Sequence, residues 1–128
     1  MAVQIREATE GDVEAIRQVG RQAWPATYSF AGEDYITHGL ETWWSTHAIR
    51  SSLALTLNLV AELDGRVVGM GNLDLRRSPA TIWKLYVLPY RQAAGIGSTL
   101  LDGLLTRAPD GERVTLEYAD GNDRAGGF

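Results

Sequence analysis

The sequence predicts one α/β domain over residues 1–128, built on a mixed, mostly antiparallel central sheet flanked by helices. Three observations carry that prediction. The hydrophobic period switches from helical to alternating near Leu57. Asp64-Gly65 stands between two alternating runs, the strongest short hairpin signal, because both turn positions need positive φ. Finally, a glycine-bearing loop separates a strand pattern from a helix pattern, and another strand pattern follows. A chain of 128 residues that is 45% hydrophobic has the material for a core, and at this length it buries about 60–70% of its unfolded surface.

In chain order, Val3 to Ala8 alternates and reads as a strand. Thr9 and Asp12 form a capping arrangement ahead of Val13, Ile16, Val19, Ala23 and Trp24, whose spacing predicts a helix from Asp12 to about Trp24, ended near Pro25. A second helical stretch covers roughly 33–53, with a break expected at Gly39. Leu57 to Leu63 and Val67 to Leu75 are the two arms of the hairpin. After a turn at Arg77-Ser78-Pro79, Ala80 to Leu88 reads as one further strand, which completes an antiparallel meander. Ser98 to Arg107 is helical, with Leu100, Leu101, Leu104 and Leu105 as its apolar face. Val114 to Tyr118 is a short strand, expected to lie parallel to the strand before the helix.

Composition removes several classes. Without cysteine there is no disulfide scaffold and no cysteine-built zinc site. His38 and His47 stand nine residues apart with no carboxylate at ligand spacing, so no metal is expected. No run approaches the ~18 apolar residues of a membrane span, and the N-terminus lacks the order of a signal peptide; a cytoplasmic protein without membrane contact is the expectation. A formal charge of −4 with no basic cluster argues against nucleic acid as a partner.

The loop Gln92-Ala93-Ala94-Gly95-Ile96-Gly97 ends at a helix N-terminus, where unpaired backbone N–H groups and the helix dipole favour an anion. Its small residues admit close approach of a phosphate to the main chain. The glycines alone equally suit a tight turn. The spacing matches neither a Walker loop, since Ser98 directly follows Gly97, nor a dinucleotide fingerprint, since Leu100 stands where a small residue is wanted.

The segment from Leu85 to Leu101 resembles the acyl-CoA-binding motif of the GNAT superfamily of N-acetyltransferases, with Val87, Pro89, Gln92, Gly95 and Gly97 at the motif positions. Ile5 to Thr9 with Asp12, and the hairpin Val60 to Gly69, are similar to further family elements, so the likeness covers nearly the whole chain. The resemblance implies acetyl-CoA as cosubstrate, with no metal. Its pyrophosphate would rest on the amides around Ala93, Ala94, Gly95, Ile96, Gly97 and Ser98, with Gln92, and its pantetheine arm beside Leu85 and Val87. It also implies direct attack by a primary amine of a small molecule or peptide.

Glu117, in Thr115-Leu116-Glu117-Tyr118, is the favoured general base, and Glu62 is the second candidate; each also reads as an ordinary strand-end carboxylate. Asn122 matches a family asparagine at the pantetheine or phosphate region, and equally reads as a helix cap. Tyr28 and Trp44 are the picks for lining the acceptor site among rings that are mostly core. Gly69 and Gly71 suggest a close ligand approach or a bulge. Family chains continue past Asn122 through a helix bearing a tyrosine that protonates the thiolate, whereas this sequence closes at Gly126-Gly127-Phe128. The domain is therefore expected to lack the family's last helix and strands and to self-associate as a homo-oligomer through its C-terminal edge. A truncated, non-catalytic acyl-CoA-binding or assembly module is the alternative reading, and an unrelated phosphate-binding domain is a third.

Overall fold

The computed structural model describes residues 3–90, 95–109 and 113–116. Strand β1 (Gln4–Glu7) is followed by helices α1 (Val13–Thr27), α2 (Glu33–Thr42) and α3 (Thr46–Leu55). Strands β2 (Leu57–Leu63), β3 (Arg66–Leu73), β4 (Ala80–Ile82) and β5 (Leu85–Val87) come next, then α4 (Ile96–Arg107) and β6 (Val114–Leu116). An antiparallel sheet runs β1-β2-β3-β5, and β4 pairs with β6 in a separate parallel ladder. The expected mixed, mostly antiparallel sheet is thus present.

The strand alternation sorts side chains onto two covered faces. Leu59, Gly71 and Leu85 are in register across β2, β3 and β5, as are Val60, Met70 and Tyr86. The first row lies under α4, where ideal Cβ atoms at Gly69 and Gly71 would come within 3.0 Å of Leu100 Cδ1 and 2.9 Å of Leu104 Cδ1. These two glycines admit helix side chains rather than a ligand. A bulge does sit beside them: Ala61 opposes Gly69 and Glu62 opposes Val67, leaving Val68 as the extra residue. The opposite face carries α1 and α3.

Helix α1 presents Val13, Ile16, Val19, Gly20, Ala23 and Trp24 to the core, one stripe at helical spacing. It overruns Pro25 by two residues, losing only the bond that residue would give to Arg21. The break between α2 and α3 falls at residues 43–45, not at Gly39. Ser45 ends the interruption by accepting from the Ala48 N–H at 3.1 Å. Gly39 instead lies inside α2, and a Cβ there would sit 2.3 Å from the Trp24 ring; Gly20 stands in the same relation to Trp44 at 2.2 Å. Leu105, expected on the apolar face of α4, is 45% exposed.

The run Ala80–Leu88 is two strands in two ladders. The first half continues from β3 through the Asp74–Thr81 bridge and pairs with β6, Ala80 opposite Val114 and Ile82 opposite Leu116. The second half returns to the main sheet beside β3. The expected parallel pair therefore forms with β4 alone among the described residues. Self-association was expected at the edge of the strand Val114 to Tyr118, of which Val114–Leu116 is described and the remainder lies outside the described residues. No helix among the described residues is long and apolar enough to cross a membrane.

Candidate active site

Asn72 causes the split. Its side-chain oxygen accepts the Trp83 N–H at 3.1 Å and the Lys84 N–H at 2.9 Å, so β3 holds two successive amides with one carboxamide and turns the strand there. The Asn72 amide reaches Ser52 Oγ on α3 at 3.3 Å. Just beyond, Asp74 is buried and accepts from Arg76 Nε at 2.9 Å and from the Trp83 indole N–H at 3.2 Å. The adjoining guanidinium holds that carboxyl well below the usual carboxylate range, against the opposing effect of burial.

The bend sets the direction of the β5 backbone. Lys84 O accepts from Asn72 N at 3.0 Å and Leu88 N donates to Val68 O at 2.8 Å. Alternate residues of an antiparallel strand address one neighbour. Leu85 and Val87 therefore turn their peptide groups away from β3. Beyond β5, Gly95 adopts the left-handed conformation at φ 75° and opens α4. The first intrahelical bond is Thr99 N to Gly95 O at 3.1 Å, so the N–H groups of Ile96, Gly97 and Ser98 have no helical acceptor and lie at the positive end of the dipole. Among the described residues a Cβ at Gly95 would meet nothing within 4 Å.

On the other face of β5 lies a cavity of about 610 Å³, walled by Trp24 of α1 and Tyr28 at its C-terminal end, Tyr35 of α2, Trp43, Ser51, Ser52, Leu55 and Thr56 around α3, and Asn72, Arg76, Trp83, Lys84 and Tyr86. Trp24 stacks on Tyr35 with centroids 5.7 Å apart and meets the edge of Trp43 at 5.5 Å. The Tyr86 hydroxyl donates to the Tyr28 hydroxyl at 3.3 Å; burial, reinforced by that bond, pushes the Tyr86 phenol above its ordinary range. Lys84 Nζ donates to the Trp43 carbonyl and sits 4.7 Å from the Trp44 ring centroid. Burial lowers its ammonium to about 8.

Of the predicted site residues, Tyr28 lines this cavity. Trp44 does not: it is 1% exposed and packs on Gly20, and its neighbour Trp43 is the ring at the wall. Glu62 is also elsewhere. Its carboxylate accepts from Arg6 Nε at 3.0 Å and Nη2 at 2.9 Å, while the same guanidinium grips Asp12 at 2.8 and 2.9 Å. Asp12 in turn accepts the Thr9 N–H at 2.8 Å, so the predicted cap exists as part of an ion-pair cluster. Leu85, Val87, Gly95, Ile96, Gly97 and Ser98 lie around the β5 edge and the α4 N-terminus. Gln92, Ala93, Ala94, Glu117 and Asn122 lie outside the described residues. Sequence reasoning missed Asn72, whose signal was a carboxamide within the apolar run Val67–Leu73, and Lys84, the chain's single lysine, which stands beside Trp83.

The chain is similar to known proteins over most of its length. A family model described as "Acetyltransferase (GNAT) family" matches residues 13–128. A spermidine N(1)-acetyltransferase of Thermoplasma acidophilum is 27% identical over 108 residues, covering 79% of this chain and 67% of the relative. The fold superposes with TM-score 0.87 on the crystal structure of PaiA N-acetyltransferase from Thermoplasma acidophilum in complex with coenzyme A, at 24% identity over 100% of this chain and 86% of that one. A GNAT family acetyltransferase from Brucella melitensis, crystallised with acetyl-CoA, is 30% identical with TM-score 0.68, covering 99% and 82%.

Proposed function

This chain belongs to the acetyltransferase (GNAT) family, and from that premise we propose that it moves an acetyl group from acetyl-CoA to a primary amine of a small molecule or peptide by direct attack. The observation that carries the reading is the double role of β5. Its edge turns the peptide groups of Leu85 and Val87 away from β3, while the residue between them, Tyr86, walls the cavity. A pantetheine arm running beside that edge would bring its thioester beside the space an amine can enter. The amides of Ile96, Gly97 and Ser98 at the start of α4 would take the pyrophosphate, with Gln92, Ala93, Ala94 and Gly95 completing the loop and Asn122 assigned to the pantetheine or phosphate region.

The amine nitrogen attacks the thioester carbonyl, the C–N bond forms, the C–S bond breaks, and a proton passes from the amine to a base while the thiolate gains one. Glu117 is assigned as the base. It follows Leu116 directly, and Leu116 is registered on Ile82, one residue before Trp83 at the cavity. Glu62 is already held by Arg6 and is not assigned that role.

Calorimetry with acetyl-CoA tests the binding half. Gly97→Glu places bulk and negative charge at the α4 N-terminus and abolishes binding; unchanged affinity refutes the assignment. Thiol release from acetyl-CoA across a panel of amines tests turnover, which a protein that only binds acyl-CoA does not give.

A further inference from the structure

Lys84 is a half-buried cation with no carboxylate partner among the described residues. Its one hydrogen bond goes to a neutral carbonyl and its other contact is the face of Trp44. An ammonium has three donors, so two remain. The second cation in the cavity wall, Arg76, is committed to Asp74 through both Nε and Nη2, each at 2.9 Å. Burying a charge without a counter-ion is costly, and an anionic ligand group arriving at Lys84 offsets that cost.

The remaining walls describe the rest of the ligand. Trp24 and Tyr35 lie nearly parallel at 21°, and Tyr28 and Trp43 close the same region at 4.2 and 5.5 Å from Trp24. Such ring faces suit a flat apolar body. Lys84 and Tyr86 occupy the same face of the chain two residues apart, roughly 6–7 Å along an extended backbone. An acid group held at Lys84 therefore anchors one end of a small molecule near β5. Among the described residues no Asp or Glu lines the cavity. A second ammonium on the ligand meets Lys84 there instead of a counter-charge.

We propose that this cavity takes an amine that also carries a carboxylate and a flat aromatic body, the carboxylate pairing with Lys84. The inference rests on reading the cavity as the acceptor site. It differs from the polyamine in the name of the Thermoplasma relative.

The test compares phenylalanine, phenethylamine and spermidine. Isothermal calorimetry on the protein with coenzyme A present measures binding without requiring turnover. The expected result is that phenylalanine binds about 10–100-fold more tightly than phenethylamine, the range of one charge-assisted hydrogen bond, and that spermidine binds most weakly. In Lys84→Met the phenylalanine preference falls to within about threefold. Equal affinities in the wild-type protein, or tighter binding of phenethylamine or spermidine, overturn the proposal whether or not the variant folds. Thiol release on the same three amines separates the two claims. Tight phenylalanine binding without acetyl transfer to any amine supports the carboxylate site and refutes the transferase reading. Transfer favouring spermidine does the reverse.

Discussion

Replacing Asn72 with leucine keeps the volume nearly constant and deletes the acceptor that bends the chain between β4 and β5. The Trp83 and Lys84 amides then lose their partner, and Ser52 loses the carboxamide donor. An unsatisfied buried polar group costs about 1–3 kcal/mol. Two amides therefore imply ~2–6 kcal/mol, and the lower half of that range applies because Trp83 is 40% exposed and water reaches part of the bend. A loss of ~3 kcal/mol is a large share of the roughly 5–15 kcal/mol that holds a domain together. In a urea titration with a slope of about 1–3 kcal/mol/M, the midpoint falls by roughly 1–3 M. Acetyl-CoA affinity falls as well, because the bend aims the Leu85 and Val87 peptide groups. Asn72→Asp retains the acceptor oxygen and loses less in both measurements. A leucine variant whose urea midpoint moves by less than the equivalent of ~0.5 kcal/mol would show that strand pairing alone holds the bend.

Gly39→Ala is expected to destabilise the protein by more than 1 kcal/mol, although an exposed helical glycine-to-alanine change stabilises by roughly that amount; thermal melts give the sign, and a raised midpoint contradicts the Trp24 contact. Asp12 is held below its ordinary range chiefly by its hydrogen bonds from Arg6. That stabilisation is present above about pH 4, the unfolded value, and is lost as pH falls through the folded one. Asp12→Asn should flatten the acid limb of a stability–pH curve, and an unchanged limb counts against the cluster. Lys84 titrates at about 8 in the folded protein against 10.5 in its ordinary state. The unfolded chain then binds the extra proton between those values, so wild-type stability rises from pH 8 to 10.5, and a Lys84→Met variant should lack the rise. Glu117→Gln should slow acetyl transfer by roughly 10²–10⁴-fold with little change in acetyl-CoA affinity; a wild-type rate from pH 6 to 9 removes Glu117 as the base.

The fold was legible where neighbouring residues decide it. Asp64 at φ 54° and Gly65 at φ 78° form the turn that their types require, and Leu57–Leu63 is a strand as its alternation indicates. The split of Ala80–Leu88 was not legible, because its cause is the Asn72 side chain on another strand, 11 and 12 positions away. In Ile82-Trp83-Lys84-Leu85 only Lys84 departs from the apolar run, and one lysine does not mark where a strand divides. That Trp43 and not Trp44 lines the cavity was hidden for a similar reason. Adjacent helical residues point about 100° apart, and the chain leaves the helix at that pair, so a phase read from α2 does not carry into α3. Gly39 looked like a breaker because sequence alone shows its low helix propensity and not the indole above it.

That indole ties the cavity to the scaffold. Trp24 is at once a wall of the cavity and the body filling the socket over Gly39. A smaller residue at position 24 enlarges the cavity and opens a void against α2, while a larger one at 39 pushes the wall inward. Reshaping the cavity is therefore a two-site problem: positions 24 and 39 change together, or the protein passes through a poorly packed intermediate. Lineages and engineers alike meet the same constraint, and the accessible single steps lie at rings without a glycine counterpart, such as Tyr35 and Tyr28.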